Sequence, residues 1–130
     1  MSEIFSVEII SPSQSILKSE ATEVTIPSYE GQMGILKDHI SLITFLRPGL
    51  IKIKKENEEN FFFIEEGIVE FKNNNLIILT STSKSLENLD KNFLDMIIKD
   101  SEEKMNKEEI SDKEKYLLSH KIDTIREINQ

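Results

Sequence analysis

Cysteine is absent from this chain, which excludes a disulfide framework and any thiolate metal site. Histidine occurs twice, at His39 and His120, too seldom for a histidine-built metal centre. Apolar runs reach four or five residues at most, far short of the roughly 20 that cross a bilayer. A basic excess is missing as well. Sixteen Lys and Arg face 24 Asp and Glu, for a net charge of −8 and a pI near 4.8. Nucleic-acid binding needs a basic face, so no nucleic-acid partner is expected. The acidity is spread evenly, with 12 acidic and 8 basic side chains in residues 1–86 and the same in residues 87–130. It speaks for solubility rather than for a charged tail. The opening Met1-Ser2-Glu3-Ile4-Phe5 carries no basic segment of the secretory kind. The expectation is a chain made and kept in the cytosol, with no membrane insertion of its own.

Glycine and proline are scarce, four and three residues, and every one precedes Ser85. That shift divides 130 residues into a β-rich part, 1–85, and a helical part, 86–130. A chain of this size hides roughly two-thirds of its unfolded surface and can hold a core without staples.

In the first part, Phe5-Ser6-Val7-Glu8-Ile9 alternates with period two and reads as a half-buried strand ended by Ser11-Pro12. Ala21–Ile26 reads as a second strand closed by Pro27, and Gly31 and Gly34 as the brackets of a turn. Leu42–Phe45 runs into Arg47-Pro48-Gly49, and Leu50–Lys54 alternates cleanly before a polar hairpin tip. Phe61–Ile64, Ile68–Phe71 and Leu76–Leu79 follow, with Asn73-Asn74-Asn75 as a tight turn. Of Phe61, Phe62 and Phe63, two are expected on the core face. Short strands at this spacing, with no helical pattern between them, suggest a sandwich or barrel.

The second part reads as two helices. Leu86, Leu89, Phe93 and Ile97 recur at helical spacing, with Leu94, Ile98 and Met105 beside them. Asn88 or Asp90 is placed to cap the start. Asn106-Lys107-Glu108-Glu109 breaks the stripe, and Ser111-Asp112-Lys113-Glu114 has the capping-box pattern. Leu118, Ile122 and Ile125 carry the next stripe, and the short connection favours an antiparallel helical hairpin. The fold class is therefore α+β, an N-terminal antiparallel β-sandwich followed by a C-terminal two-helix antiparallel hairpin.

Catalytic chemistry is hard to find. No phosphate-cradling glycine loop and no His-Glu-x-x-His is present. Glu65 and Glu66 are adjacent, so on a strand they point to opposite faces. His39 lies beside Asp38, but no nucleophile motif accompanies it, and a loop-fixing role is the plainer reading. His120 falls off the helical stripe and reads as a solvated residue. Met33, at what reads as a loop tip, calls for a partner to cover it. No catalytic residue, metal site or cofactor site is assigned.

The stretch Gly31-Gln32-Met33-Gly34-Ile35-Leu36-Lys37-Asp38-His39-Ile40-Ser41-Leu42 through Leu46-Arg47-Pro48-Gly49 resembles the F-type ATP synthase epsilon subunit family. That family typically reads G-x-x-G-x-L-P-G-H-A-P-L and then L-x-P-G. Val7–Pro12, Gly67–Phe71 and Leu76–Leu79 are similar to its first and late strands. Lys37-Asp38 stands where the family has Pro-Gly, Ile40-Ser41 where it has Ala-Pro, and Glu66-Gly67 where many members have Gly-Gly.

The resemblance implies a non-catalytic rotor subunit of the central stalk. Its partners would be the gamma subunit and the c-subunit ring, with the alpha/beta head in reach of the hairpin. It would couple proton-driven rotation to ATP synthesis from the cytoplasmic side of the bacterial inner membrane. Gly31, Gln32, Met33, Gly34, Asp38, His39 and Leu42 are the candidate partner-binding residues. Some members bind ATP through Ile/Leu-Asp-x-x-Arg-Ala. Here Leu89-Asp90 match but Phe93-Leu94 replace Arg-Ala, which removes the bidentate phosphate donor, so ATP binding is not expected. The hairpin lacks a basic excess, and weak or absent inhibition of ATP hydrolysis is expected. The alternative is a stand-alone β-sandwich module that recognises a peptide or small ligand.

Overall fold

The computed structural model describes residues 3–107 and 109–128. Met1 and Ser2 of the N-terminal reading and Glu108 of the helix break lie outside the described residues. The chain folds as two compact units, residues 1–86 and 87–130.

Among the described residues ten strands build the first unit: β1 (Phe5–Ile10), β2 (Ser15–Ala21), β3 (Glu23–Ser28), β4 (Gly31–Leu36), β5 (Leu42–Leu46), β6 (Gly49–Lys55), β7 (Glu58–Ile64), β8 (Gly67–Lys72), β9 (Asn75–Leu79) and β10 (Lys84–Ser85). They form one curled sheet in the order β10-β7-β6-β3-β5-β8-β9-β1-β2, with β4 paired to β3. The curl turns at β3. Its first half pairs with β6, from Glu23↔Lys54 to Thr25↔Lys52, and its last residue, Ser28, pairs with Leu46 of β5. One strand thus belongs to both layers of the sandwich. Pro27 sits at the changeover. It has no N–H to give to a ladder, and between the two partners none is asked for. Its carbonyl accepts the Arg47 N–H at 3.0 Å.

Several expectations are corrected here. Pro27 does not close its strand, because it occupies that gap in the ladder. Gly31 and Gly34 do not bracket a turn, because both lie in β4, which pairs with β3 from Ser28↔Gly31 to Glu23↔Leu36. The turn is Tyr29-Glu30, and Gly31 enters the strand at φ 118°, where a side chain would be strained. Met33 is accordingly no loop tip. It is half-buried and packs against the core. The structure adds two further strands, β2 and β10, that the sequence pattern does not signal. The sheet is also not wholly antiparallel, since β1 runs parallel to β9 from Ser6↔Asn75 to Ile10↔Leu79.

The core lies between the layers. Val24, Ile26, Ile35, Ile51, Ile53, Phe62 and Ile64 come from one, and Phe5, Val7, Ile9, Leu46, Val69, Phe71, Leu76 and Ile78 from the other. The register places Phe62 opposite Ile51, so Phe62, not Phe61, leads the core face of β7, and Phe63 is also buried. Gly67 is packed so closely that a Cβ would lie 2.9 Å from the Leu79 carbonyl oxygen.

The second unit holds α1 (Lys91–Met105) and α2 (Asp112–Ile128), preceded by a 3₁₀ turn at Leu86–Asn88. Asp90 caps α1, its Oδ1 accepting the Phe93 N–H at 2.7 Å. The helix therefore begins after Leu86 and Leu89, and its buried stripe is Leu94, Ile97 and Ser101 rather than Leu86, Leu89, Phe93 and Ile97. Ser111 caps α2, accepting the Glu114 N–H at 3.1 Å, while its own hydroxyl donates to the Glu114 carboxylate at 3.3 Å. Ile122, Thr124 and Ile125 are the buried residues of α2.

Candidate functional site

Four of the seven candidate residues, Gly31, Gln32, Met33 and Gly34, line up on β4. The other three, Asp38, His39 and Leu42, lie on or just past the loop from β4 to β5. The loop is fixed by two left-handed residues that hold each other. The Asn73-Asn74 turn joins β8 to β9 with φ of 51° and 59°, the paired positive φ of a tight hairpin. Asp38 has φ 67°, a conformation that costs an ordinary residue roughly 1–2 kcal/mol and is eased for Asp and Asn by local hydrogen bonding. The Asp38 N–H donates to Asn74 Oδ1 at 2.7 Å, and Asn74 Nδ2 donates back to Asp38 Oδ1 at 3.0 Å. The Asn74 carbonyl also accepts the Ser6 N–H at 3.0 Å. One turn thereby ties the β4–β5 loop to the start of β1.

His39 completes the loop from inside. Its N–H donates to the Leu36 carbonyl at 3.1 Å, and its Nδ1 lies 2.8 Å from the Ile40 carbonyl oxygen. A carbonyl only accepts, so Nδ1 is the protonated nitrogen in this bond. The ring meets Phe71 edge-on, with centroids 6.0 Å apart, and Phe71 meets Phe5 the same way at 5.7 Å. Leu42 stands opposite Phe71 and packs against the core. His39 and Leu42 therefore anchor the loop.

What the loop offers outward is apolar. Ile40 is 78% exposed, Ile43 71% and Phe45 59%. Ile43 and Leu42 share a shallow cleft of about 440 Å³ with Ser41, Glu70, Phe71 and Lys72. Large apolar side chains left together in water mark a surface that another molecule covers. Sequence reasoning named the anchors and missed Asn74, Ile40, Ile43 and Phe45. The run of three asparagines signals the turn, but nothing local says that Asn74 reaches Asp38 across 36 residues.

Glu65, Glu66 and His120 have structural partners. The Glu65 N–H donates to Thr82 Oγ1 at 3.0 Å, and the Glu66 carboxylate accepts the Ser81 hydroxyl at 2.7 Å. His120 is half-buried rather than solvated, its ring 4.5 Å from that of Tyr116. Among the described residues no group of three or more His, Cys, Asp or Glu is placed to hold a metal ion, and no helix is long and apolar enough to cross a membrane.

The model of the ATP synthase delta/epsilon chain β-sandwich domain matches residues 4–85. The ATP synthase epsilon chain of Pelagibacter ubique is 47% identical over 130 residues, which span 99% of this chain and 100% of that one. The epsilon chain of Alkalilimnicola ehrlichii is 38% identical over 85 residues, 65% of this chain and 61% of its own length. Two solved structures share the fold. One is a chain of the Euglena gracilis mitochondrial ATP synthase OSCP/F1/c-ring structure, with a TM-score of 0.80 at 19% identity, covering 95% of this chain and 80% of that one. The other is a chain of the Tetrahymena thermophila mitochondrial ATP synthase central stalk and c-ring, with a TM-score of 0.64 at 18% identity, covering 98% and 96%.

Proposed function

The chain belongs to the ATP synthase delta/epsilon family, and on that premise we propose that it is a non-catalytic rotor subunit of the F-type ATP synthase central stalk. It binds the gamma subunit and the c-subunit ring, and through them couples proton-driven rotation to ATP synthesis. The observation that carries this reading is the 47% identity to an epsilon chain from end to end, across both units. A free-standing ligand module would need a pocket. The cleft at Leu42 and Ile43 is shallow and its rim apolar, which suits a protein partner better than a small molecule.

Partner contact is assigned to β4, with Gly31, Gln32, Met33 and Gly34, and to the clamped loop with Asp38, His39 and Leu42. Ile40 and Ile43 supply the apolar area there. The protein sits peripherally on the membrane complex, on the cytoplasmic side of the bacterial inner membrane. Tight ATP binding by the helical unit is not part of this reading. Asp90 is engaged as the α1 cap, and Phe93 stands where a phosphate-binding arginine is needed. Inhibition of hydrolysis through the hairpin is expected to be weak for want of basic charge.

Size-exclusion chromatography with light scattering, on this protein mixed with purified gamma subunit, tests the reading. A one-to-one complex is expected. Two separate peaks at tens of micromolar would overturn it.

A further inference from the structure

Strand edges expose unpaired N–H and C=O groups, and natural sheets blunt them with charge, proline, bulges or brevity. Two edges of this sheet are blunted. β10 has two residues and carries Lys84. β2 carries Lys18 and Glu20 and meets β1 through a register shift at Ile9/Ile10. β4 has none of these devices. Its sequence, Gly-Gln-Met-Gly-Ile-Leu, holds no charge and no proline, and its ladder with β3 runs unshifted over all six residues. Among the described residues β3 is its one strand partner. Alternate residues of an antiparallel strand direct their main-chain groups to opposite sides, so half of those on β4 face away from β3. Gln32, Gly34 and Leu36 are exposed, and a Cβ added at Gly34 would meet nothing within 4 Å.

We propose that β4 is a strand-addition edge, on which an extended, uncharged segment of the gamma subunit pairs through main-chain hydrogen bonds as one more strand. The proposal rests on the rotor reading and adds the mode of binding. Main-chain bonds supply the affinity in such pairing, and side chains on alternate positions supply the selectivity. The partner segment is apolar where it meets Leu36, which is 54% exposed. Charges stand only beyond the ends of the strand, at Glu30 and Lys37.

Residue-resolved amide exchange by NMR, on the full chain alone and with purified gamma subunit, tests this. In the free chain one alternate set, 32 and 34 or 33 and 35, exchanges fast. In the complex that set slows by on the order of 100-fold or more, while the Lys18 and Glu20 amides on β2 do not change. A complex without this slowing overturns the proposal and leaves the rotor reading standing. Absence of a complex overturns both. The same slowing in the free chain at rising concentration, with a dimer mass, overturns it in favour of a second copy of this chain. As a second arm, Gln32→Lys with Leu36→Lys charges the edge at exposed positions. It should weaken gamma binding at least about tenfold at unchanged melting temperature, and unchanged affinity counts against strand addition.

Discussion

Removing the Asn74 side chain should cost more than removing that of Asp38, although the two hold each other. Asn74→Gly keeps φ near 59° without strain, since glycine accepts that region, but deletes both bonds of the clamp, at 2.7 and 3.0 Å. Each is a net contribution of about 0.5–1.5 kcal/mol, and the bond to the Asp38 carboxylate lies toward the upper end. Glycine also relieves the left-handed strain of Asn74 itself at φ 59°, by about 1 kcal/mol, so the expected loss is about 0.5–1.5 kcal/mol. Asp38→Gly deletes only the bond from Asn74 Nδ2 and leaves the main-chain N–H bonded to Asn74 Oδ1. It also relieves the left-handed strain at φ 67°, a return of about 1 kcal/mol that offsets the lost bond. Its net effect is within about 0.5 kcal/mol of zero. The double variant should cost what Asn74→Gly costs less the relieved strain, giving a coupling near 1 kcal/mol. Native-state amide exchange at Val69 and Ile78, core positions of the first unit, reads this unit by itself. Equal losses in the two single variants, or additive behaviour in the double, would refute the reasoning.

Other substitutions follow from the same geometry. Gly67→Ala would place a Cβ 2.9 Å from the Leu79 carbonyl oxygen, and Gly49→Ala one 2.6 Å from Pro27 Cβ. Each should destabilise the first unit by about 1–3 kcal/mol in urea unfolding, whereas Gly34→Ala meets open space and should be neutral there. Asp90→Ala removes the α1 cap, whose Oδ1 accepts the Phe93 N–H, and should cost about 1 kcal/mol in the helical unit, read by amide exchange at Ile97. Titration with ATP should give no saturable heat below about 1 mM, equivalent to binding weaker than about −4 kcal/mol. A saturable isotherm would show that Phe93 does not exclude the nucleotide.

Strands with clean alternation are legible in the sequence alone. Phe5–Ile9, Leu50–Lys54 and Ile68–Phe71 each put one residue in two into the core, and period two reports that directly. β2 is not legible because Ser-Ile-Leu-Lys-Ser-Glu-Ala lies at an edge with most of its side chains half-buried or exposed, so no alternation is imposed on it. Pro27 and Gly34 mislead for one reason. Local rules read proline and glycine as punctuation, yet Pro27 occupies a gap between two ladder partners and Gly34 an open edge, where neither restriction applies. On α1 the cap fixes the register, and the small polar Ser101 takes a buried place that hydrophobic spacing does not reveal. At the candidate site the glycines and His39 are visible through resemblance. The clamp from Asp38 to Asn74 and the apolar row Ile40, Ile43 and Phe45 depend on which faces the curled sheet leaves open, which is a property of topology.

The parallel pairing of β1 with β9 has a consequence for how the chain is made. Val7 sits beside Leu76, so the strand translated early in synthesis waits for one translated about seventy residues later, several seconds at roughly 5–20 residues per second. β3, β4 and β6 can assemble during that interval, since each finds its ladder nearby in sequence. β1 cannot join β9 until residue 79 has left the ribosome, so β1 with its β2 hairpin is the stretch of nascent chain most in need of shelter.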